Sequence, residues 1–281
     1  MHIFKTKTDL EAFLQPLKSS KKTVGMVPTM GALHEGHLTL VKKALAENSW
    51  VVVSIFVNPT QFNNSEDLLK YPKTLNSDVE LLRELGENIV VFSPGVYEMY
   101  HTDVTPKNYD FNGLDSVMEG AFRANHFNGV GTIVEALLTL VLPQKAYFGE
   151  KDFQQLQIIK HLVKQQEIPV EIIGCAIVRE ENGLAMSSRN NRLPLKTRKL
   201  AGFILENLKK AKNYFKTHTA AETEAWMVAK FNTHPLFELE YFTIADAETL
   251  RPVKDKSEHN SFRGFIAVYA NDVRLIDTIK F

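Results

Sequence analysis

Two histidines and two glycines lie close together near the N-terminus, where a short apolar segment ends. Residues 27–37 read VPTMGALHEGH and join the first predicted strand to the first predicted helix. Gly31 and Gly36 let the backbone come close to a ligand. His34 and His37 are three residues apart, so near a helix start they lie on one face. Imidazole donors beside the free N–H groups of a helix start would stabilise negative charge that grows during phosphoryl or adenylyl transfer.

The same histidine pair allows two other interpretations, a metal site or a purely structural role. A metal site lacks a third ligand nearby at the expected spacing, and the strand–glycine–helix setting favours a nucleotide. The chain has neither a Walker-type Gly-Lys-Ser/Thr sequence nor GxGxxG. The segment is therefore not a standard kinase loop or dinucleotide-binding loop.

The elements around this loop alternate between strand-like and helix-like patterns. Strands are predicted at 23–27 (ended by Pro28), 50–57, 89–92, 146–148 and 170–178, with helices at 38–46, 75–85, 132–142 and 153–165. This alternation indicates a parallel sheet wrapped by helices, in which ligands bind beyond the carboxyl ends of the strands. The loops that follow Val27, Val57, Phe148 and Val178 are therefore the places to look for a site.

After Arg189 the pattern changes to helices followed by strands. A long amphipathic helix is predicted over 200–215 and a second helix over 221–231, followed by strands at 239–244, 264–270 and 274–279. The sequence thus predicts an α/β fold: a Rossmann-like parallel sheet with helices on both faces, followed by a smaller α+β C-terminal domain. The predicted domains are 1–176 and 177–281.

Composition and charge exclude several classes of protein. The 281 residues are 44% apolar and include 33 Lys plus Arg and 33 Asp plus Glu, so a basic footprint for nucleic acid is not expected. Cys175 is the only cysteine, which excludes an intrachain disulfide and a cysteine-ligated metal site. No apolar run approaches the roughly 20 residues of a membrane helix, and the N-terminus has no signal-peptide pattern. We expect a cytoplasmic protein with no nucleic-acid or membrane partner.

Longer motifs resemble one family. His34-Glu35-Gly36-His37 matches the HxGH motif of the nucleotidyltransferase and class I aminoacyl-tRNA synthetase superfamily, and the ten residues 28–37 resemble the pantoate–β-alanine ligase family specifically. Three further segments resemble the family at the corresponding points: FVNPTQF (56–62), FGEKDFQQL (148–156) and AMSSRN (185–190). The resemblance covers roughly residues 22–195, and each segment falls on a loop selected above.

The resemblance implies site residues. ATP would contact three loops: Met30, Gly31, Ala32, Leu33, His34, Glu35, Gly36 and His37; Gly149, Glu150, Lys151 and Asp152; Val178 (through its backbone), Met186, Ser187, Ser188 and Arg189. Gln61 and Gln155 would hold pantoate, and Gln61 would also help to bind β-alanine. The predicted catalytic residues are His37, His34, Lys151, Ser188 and Arg189, with His37 as the expected proton donor.

Two of these assignments have structural alternatives in the sequence. The Met186–Arg189 segment resembles the KMSKS loop that closes over ATP phosphates, but its serines also suit a helix cap, and both roles can hold together. Asp78 follows Ser77 near a helix start and suits a capping carboxylate. The resemblance instead gives an acidic residue in this region a part in binding the Mg²⁺ that accompanies ATP.

One short segment departs from the family pattern. The family usually has Arg-Pro-Gly-His-Phe, whereas this chain has Arg123-Ala124-Asn125-His126-Phe127. Asparagine tolerates a left-handed backbone better than other non-glycine residues, so the loop can keep its shape. The substitution puts in question the rigidity of the loop and any substrate contact made by Arg123.

The resemblance implies an ATP-dependent ligase of pantothenate biosynthesis that forms a homodimer. It would condense pantoate with β-alanine through a pantoyl adenylate and release AMP and pyrophosphate, with residues 1–176 binding ATP and pantoate and residues 177–281 acting as a lid. Three alternatives remain at this stage: a nucleotidyltransferase with a phosphate-bearing acceptor, a tRNA-linked synthetase, and a non-catalytic nucleotide-binding module. The two glutamines favour a neutral polar substrate over a second phosphate, and the balanced charge disfavours tRNA.

Overall fold

The computed structural model describes residues 1–258 and 261–281. Its strands are β1 His2–Phe4, β2 Val24–Thr29, β3 Trp50–Ile55, β4 Ile89–Phe92, β5 Lys145–Gly149, β6 Glu171–Cys175, β7 Glu238–Asp246, β8 Phe262–Ala270 and β9 Val273–Lys280. Its α-helices are α1 Lys7–Ser19, α2 Glu35–Glu47, α3 Ser65–Lys70, α4 Leu75–Arg83, α5 Val96–Tyr100, α6 Glu119–Phe122, α7 His126–Val141, α8 Phe153–Gln165, α9 Leu195–Leu200, α10 Phe203–Phe215 and α11 Ala220–Asn232. Short 3-10 helices span Pro59–Gln61, Glu150–Asp152, Ser188–Arg192 and Lys256–Glu258.

The chain divides into two compact units. The first comprises Met1–Asn112, Arg123–Gly149 and Gln155–Ala176, and the second comprises Gly113–Phe122, Glu150–Gln154 and Ile177–Phe281. Two short segments from the first two thirds of the chain therefore group with the C-terminal part. We predicted that residues 1–176 bind ATP and pantoate and that residues 177–281 form a lid. Both assignments stay predictions, because a division into compact units shows neither bound ligands nor motion.

The first unit is built on a parallel sheet of six strands in the order β1-β4-β3-β2-β5-β6. Its central strands are mostly apolar and mostly buried, which is typical of a sheet covered on both faces. On one face, Val27, Val51 and Val53 pack with apolar residues of α2 and α4. The strand order reverses between β2 and β5, and ligands bind at such a switch point in open parallel sheets. The predicted Rossmann-like fold class is confirmed.

Several predicted boundaries in the first unit were wrong: β3 ends at Ile55 and not at 57, and β6 ends at Cys175 and not at 178. The first central strand does not end before Pro28 but runs through it to Thr29. Proline is tolerated there because the pairing of β2 with β5 stops at Met26, so the missing N–H breaks no ladder bond on that side. Helix α7 was predicted to start at 132 but starts at His126. Gly129 and Gly131 lie within its first turns, where the absence of a side chain allows close packing.

The second unit contains an antiparallel sheet in which β8 lies between β7 and β9. Apolar side chains of this sheet and of α10 and α11 form one core, which includes Leu208, Met227, Phe231, Ile266 and Val268. The long amphipathic helix predicted over 200–215 is α10, which starts three residues later, at Phe203, and ends at Phe215 as predicted. The predicted α+β character of this part is confirmed.

Within residues 1–258 and 261–281, no helix combines the length and the hydropathy that a membrane span requires.

Candidate active site

The loop between β2 and α2 has an unusual backbone that is fixed from both sides. Gly31 and Ala32 have φ angles of 81° and 50°, so two successive residues are left-handed. The Thr29 hydroxyl accepts a hydrogen bond from the Gly31 N–H at 3.1 Å and donates one to the Ser54 carbonyl at 2.7 Å. A left-handed alanine costs roughly 1–2 kcal/mol. The loop therefore needs other contacts to hold this shape.

Asp78 supplies those contacts from the first turn of α4. Its carboxylate accepts hydrogen bonds from the N–H groups of Ala32 at 3.0 Å and Leu33 at 2.8 Å. The Thr74 hydroxyl lies 3.2 Å from each carboxylate oxygen. Asp78 is only 2% exposed. The expectation that it caps its own helix was wrong, because Thr74 is the N-cap residue and the carboxylate binds a loop 45 residues earlier.

The two histidines close the N-terminus of α2 and have defined tautomers. His34 is the N-cap residue, and its Nδ1 accepts a hydrogen bond from the Gly36 N–H at 3.2 Å. The Nδ1 of His37 accepts from the His34 N–H at 3.4 Å, and the ring centroids are 4.1 Å apart. A neutral imidazole that accepts at Nδ1 carries its hydrogen on Nε2. Both Nε2 atoms are therefore donors, which suits contact with phosphate and disfavours metal ligation.

Other residues of the motif have different surroundings. Met30 is half-buried and Leu33 is buried, whereas Glu35 is exposed and forms an ion pair with Lys42 at 2.7 Å. The Glu35 carboxylate is thus already engaged by a lysine on the surface of the helix. Gly36 contributes its N–H to the His34 ring at the helix start.

Gln61 ends a 3-10 helix that follows β3. Because β3 and β2 are parallel neighbours, this turn and the histidine loop leave the sheet at the same edge. The Gln61 carbonyl accepts hydrogen bonds from His126 Nδ1 at 2.8 Å and from Arg123 Nη2 at 3.3 Å. The backbone at Gln61 is therefore fixed, and its side chain is half-buried.

The segment that departs from the family pattern keeps the conformation expected of it. Asn125 has φ 60°, in the left-handed region, and is the N-cap residue of α7. His126 follows it and binds the Gln61 carbonyl. Arg123 donates to the same carbonyl, so it supports the turn. Asparagine thus replaces glycine without loss of the left-handed backbone.

Sequence reasoning missed a set of residues behind Gln61. Asn58 is fully buried, donates to the Gly129 carbonyl at 3.0 Å, and accepts hydrogen bonds from Thr60 and Tyr100. Burial raises the pKa of the Tyr100 phenol, although its hydrogen bonds to Thr60 and Asn58 oppose this, so the phenol stays protonated and donates. A Cβ at Gly129 would lie 2.2 Å from the Thr60 carbonyl oxygen. The glycine inside α7 was a signal in the sequence for such a close approach.

Gln155 lies in the first turn of α8 and is half-buried. Its neighbour Gln154 is buried and uses its whole amide for internal hydrogen bonds: it donates to the carbonyls of Leu114 and Val117 and accepts from the Glu119 N–H. The two adjacent glutamines therefore differ in role. Gln154 is structural, whereas Gln155 has the exposure that a substrate-binding amide needs.

In the second unit, Lys151 lies within the 3-10 helix Glu150–Asp152 that follows β5. Its Nζ is 3.2 Å from the Asp152 carboxylate, and the lysine side chain is 19% exposed. Glu150 accepts a hydrogen bond from Arg263 at 3.0 Å. The predicted phosphate-binding lysine is thus held on a short, ordered turn.

The predicted KMSKS-like loop is also held within the second unit. The Ser187 hydroxyl caps the 3-10 helix Ser188–Arg192 by accepting from the Arg189 N–H at 3.3 Å, so the structural alternative for these serines is observed. The Val178 carbonyl accepts from the Met186 N–H at 3.0 Å, which joins two predicted ATP contacts directly. Ser188 is buried and Arg189 is half-buried.

Residues that sequence reasoning missed hold this loop in place. Asn190 is 1% exposed and donates to the Ala185 carbonyl and to the Glu180 carboxylate. Glu180 also accepts two hydrogen bonds from Arg198. A buried amide and an ion pair therefore fix the backbone that carries Met186–Arg189.

A direct magnesium site on the protein has little support. Among residues 1–258 and 261–281 there is no group of three His, Cys, Asp or Glu side chains arranged to hold a metal ion. Both Asp78 oxygens already accept hydrogen bonds from backbone N–H groups, and the carboxylate is buried. The Asp78 contacts therefore fit a loop support better than a metal ligand, and its part in magnesium binding stays a prediction.

Similarity to known proteins agrees with this geometry over the whole chain. The family model described as pantoate-beta-alanine ligase matches residues 2–280. The pantothenate synthetase of Christiangramia forsetii is 53% identical over 279 residues, which is 99% of each chain. The crystal structure of pantothenate synthetase from Thermus thermophilus has a TM-score of 0.90 at 40% identity and covers 100% of this chain and 99% of its own.

A third similar protein was solved with ligands. The pantoate-beta-alanine ligase of Francisella tularensis, in complex with beta-gamma ATP and beta-alanine, has a TM-score of 0.78 at 32% identity. It covers 100% of this chain and 97% of its own.

The parallel sheet with its switch point between β2 and β5, and the histidine-capped helix that follows β2, define a Rossmann-like α/β enzyme. The match over residues 2–280 makes the class specific: the chain belongs to the pantoate-beta-alanine ligase family.

Proposed function

We propose that this enzyme condenses pantoate with β-alanine at the expense of ATP and forms pantothenate, AMP and pyrophosphate. The observation that carries the proposal is the β2–α2 loop, where two imidazole Nε2–H groups accompany a helix N-terminus. This arrangement suits a polyphosphate. The ATP and β-alanine bound to the Francisella tularensis ligase support the choice of substrates.

The first step transfers the adenylyl group. A pantoate carboxylate oxygen attacks the α-phosphorus of ATP, a new P–O bond forms, and the bond to pyrophosphate breaks. The carboxylate is already ionised at neutral pH, so no general base is needed. Catalysis then depends on position and on stabilisation of charge at the phosphates. We assign this stabilisation to His34, His37, Lys151, Ser188 and Arg189, with His37 Nε2–H as the proton donor of a hydrogen bond to a phosphate oxygen, in which the imidazole keeps its proton.

The second step forms the amide bond. The neutral β-alanine amine attacks the acyl carbon of pantoyl adenylate, the C–N bond forms, and the C–O bond to AMP breaks while the nitrogen releases a proton to water. Gln61 and Gln155 would orient pantoate, because an amide both donates to a carboxylate and accepts from a hydroxyl. The support of Gln61 by His126 and Arg123 keeps its position fixed between the two steps.

Several further features belong to the same proposal. Mg²⁺ bound to ATP would supply positive charge to the phosphates, and it would be held mainly by phosphate oxygens and water, with Asp78 as the acidic residue that the family resemblance suggests. Residues 1–176 bind ATP and pantoate, and residues 177–281 serve as a lid. The enzyme acts in the cytoplasm as a homodimer, without a nucleic-acid partner.

Pyrophosphate release from ATP and Mg²⁺ tests the proposal. The assay compares reactions with pantoate, with pantoate plus β-alanine, and with neither. We expect release to require pantoate and to continue steadily only when β-alanine is present. ATP binding without pantoate-dependent release would refute the ligase function. Release that depends on a phosphorylated acceptor would favour a different nucleotidyltransferase.

A further inference from the structure

Arg263 is a buried arginine that lies outside all the motifs. It is in β8, and its residue exposure is 8%. Arginine is rarely buried unless it is paired, because a charge loses its hydration in the interior. The contacts of this side chain therefore indicate what keeps it there.

Its contacts are with the segment that carries Lys151. Arg263 Nη2 donates to Glu150 Oε2 at 3.0 Å, and the guanidinium lies 3.8 Å from the centroid of the Phe153 ring. Phe153 also contacts Phe265, whose ring centroid is 6.1 Å away. Arg263 and Phe265 are two residues apart in a strand, so they share a face. One face of β8 thus holds both ends of residues 150–153.

A second set of contacts fixes the end of the same segment. Gln154 is 3% exposed, donates to the carbonyls of Leu114 and Val117 at 2.8 Å, and accepts from the Glu119 N–H at 3.0 Å. Lys151 lies between these fixed points. Among the described residues, Lys151 forms its observed ion pair with Asp152, the next residue in the chain. The turn that carries Lys151 is therefore held at both ends.

The arrangement is not explained by stability alone. Arg263 Nε is buried and has no hydrogen-bond partner among the described residues, so part of the guanidinium is unsatisfied. Burial lowers the pKa of Arg263, and the hydrogen bond to Glu150 opposes this. Arg263 is buried but Glu150 is partly exposed, so their ion pair is weak evidence for stability, and a role in fixing geometry is the better-attested use.

We propose that Arg263 is a positioning residue for ATP: it fixes Glu150 and Phe153 so that Lys151 is aimed at the phosphates. The inference rests on the proposed function, in which Lys151 contacts ATP. It extends the nucleotide site to a strand in the part of the chain that carries no recognisable motif. The planar guanidinium is needed because it stacks on Phe153 and binds Glu150 at once, which a lysine ammonium does not do.

The test compares R263Q, R263K, E150Q and the double variant R263Q/E150Q with R251Q, which alters an exposed arginine of the same unit. Initial rates of pyrophosphate release are measured on the full chain while ATP, pantoate or β-alanine is varied in turn. We expect kcat/KM for ATP to fall about tenfold in R263Q and E150Q, a typical loss for a positioning group. The KM values for pantoate and β-alanine should stay within about twofold of the unmodified enzyme.

Two features separate positioning from a merely structural role. The double variant should be no worse than R263Q, because both single changes remove one shared interaction. R263K should not restore kcat/KM for ATP, although it keeps the charge. Unchanged ATP constants in E150Q, whose partly exposed side chain can be changed without burying a new group, would overturn the proposal. So would equal rises in KM for all three substrates in R263Q.

Failure of the proposed function would look different. In that case the unmodified enzyme itself would release no pyrophosphate with pantoate. The positioning role can then still be tested by the rise in melting temperature that ATP produces, measured for both R263Q and R251Q. A smaller ATP-induced shift in R263Q alone would support the positioning role, and identical shifts would contradict it.

Discussion

Replacement of Asp78 by asparagine tests how the nucleotide loop is held. The Asp78 carboxylate accepts N–H groups from Ala32 and Leu33, where two successive residues are left-handed. Asparagine keeps one acceptor oxygen but turns an NH₂ group toward the other N–H. A hydrogen bond to a charged group contributes about 1.5–3 kcal/mol. With one such bond lost and a donor facing a donor, the turn loses about 2–3 kcal/mol.

This loss of free energy predicts a change in kcat/KM. At about 1.4 kcal/mol for each factor of ten, kcat/KM for ATP should fall by roughly thirty- to a hundredfold in D78N. The control is E80Q, the same chemical change at an exposed position of the same helix, where the carboxylate contacts Arg83 on the surface. Steady-state pyrophosphate release at varied ATP measures both variants. E80Q should match the unmodified enzyme.

Two outcomes distinguish loop support from magnesium binding. If Asp78 holds the loop, excess Mg²⁺ does not restore D78N. Addition of A32G should then recover part of the loss, about fivefold, because glycine removes the roughly 1 kcal/mol strain of a left-handed alanine. If D78N stays within about threefold of E80Q, or if high Mg²⁺ restores it fully, loop support is the wrong explanation.

Three further predictions concern the site. H37A should lower kcat by at least about a hundredfold with a smaller change in KM, since its Nε2–H is assigned to the transition state; a near-normal rate would remove that role. G129A should raise the KM for pantoate more than the KM for ATP, because its Cβ would meet the Thr60 carbonyl and shift the Gln61 turn. G95A is the control: a Cβ at Gly95 would meet open space, so its KM values should be normal in the same titration. Removal of Mg²⁺ with a chelator should abolish turnover, and addition of Mg²⁺ should restore it. The melting temperature of the free enzyme should not change, because the described residues contain no group of side chains arranged to hold a metal ion. A lower melting temperature after chelation would indicate a resident metal.

Much of the sheet was predictable because its strands have simple patterns. Strand β4 is a short apolar run that ends where predicted, and α8 has both predicted boundaries. In contrast, β1 was missed because it has only three residues, two of them exposed, and so carries no clear period. The start of α7 was missed because local propensity treats Gly129 and Gly131 as breakers, whereas their role is to allow contact with Thr60 and Tyr109.

The candidate site was predictable in part for the same kind of reason. The predicted strand ends indicated the loops, and the resemblance to the family indicated the residues within them. Their supports were not predictable, because each acts across a long stretch of chain: Asp78 binds a loop 45 residues earlier, and Arg263 binds Glu150 113 residues earlier. Sequence patterns report local periodicity, and such contacts arise only when the chain is folded.

The central claim is adenylyl transfer to the pantoate carboxylate, and oxygen isotopes test it most directly. Pantoate labelled with ¹⁸O in its carboxylate is converted with ATP and β-alanine, and the products are analysed by mass spectrometry. Attack on the α-phosphorus predicts one labelled oxygen in AMP and none in pyrophosphate, because the bridging oxygen leaves with the nucleotide when the amide forms. Unlabelled AMP, or label in released phosphate, would contradict the adenylate route.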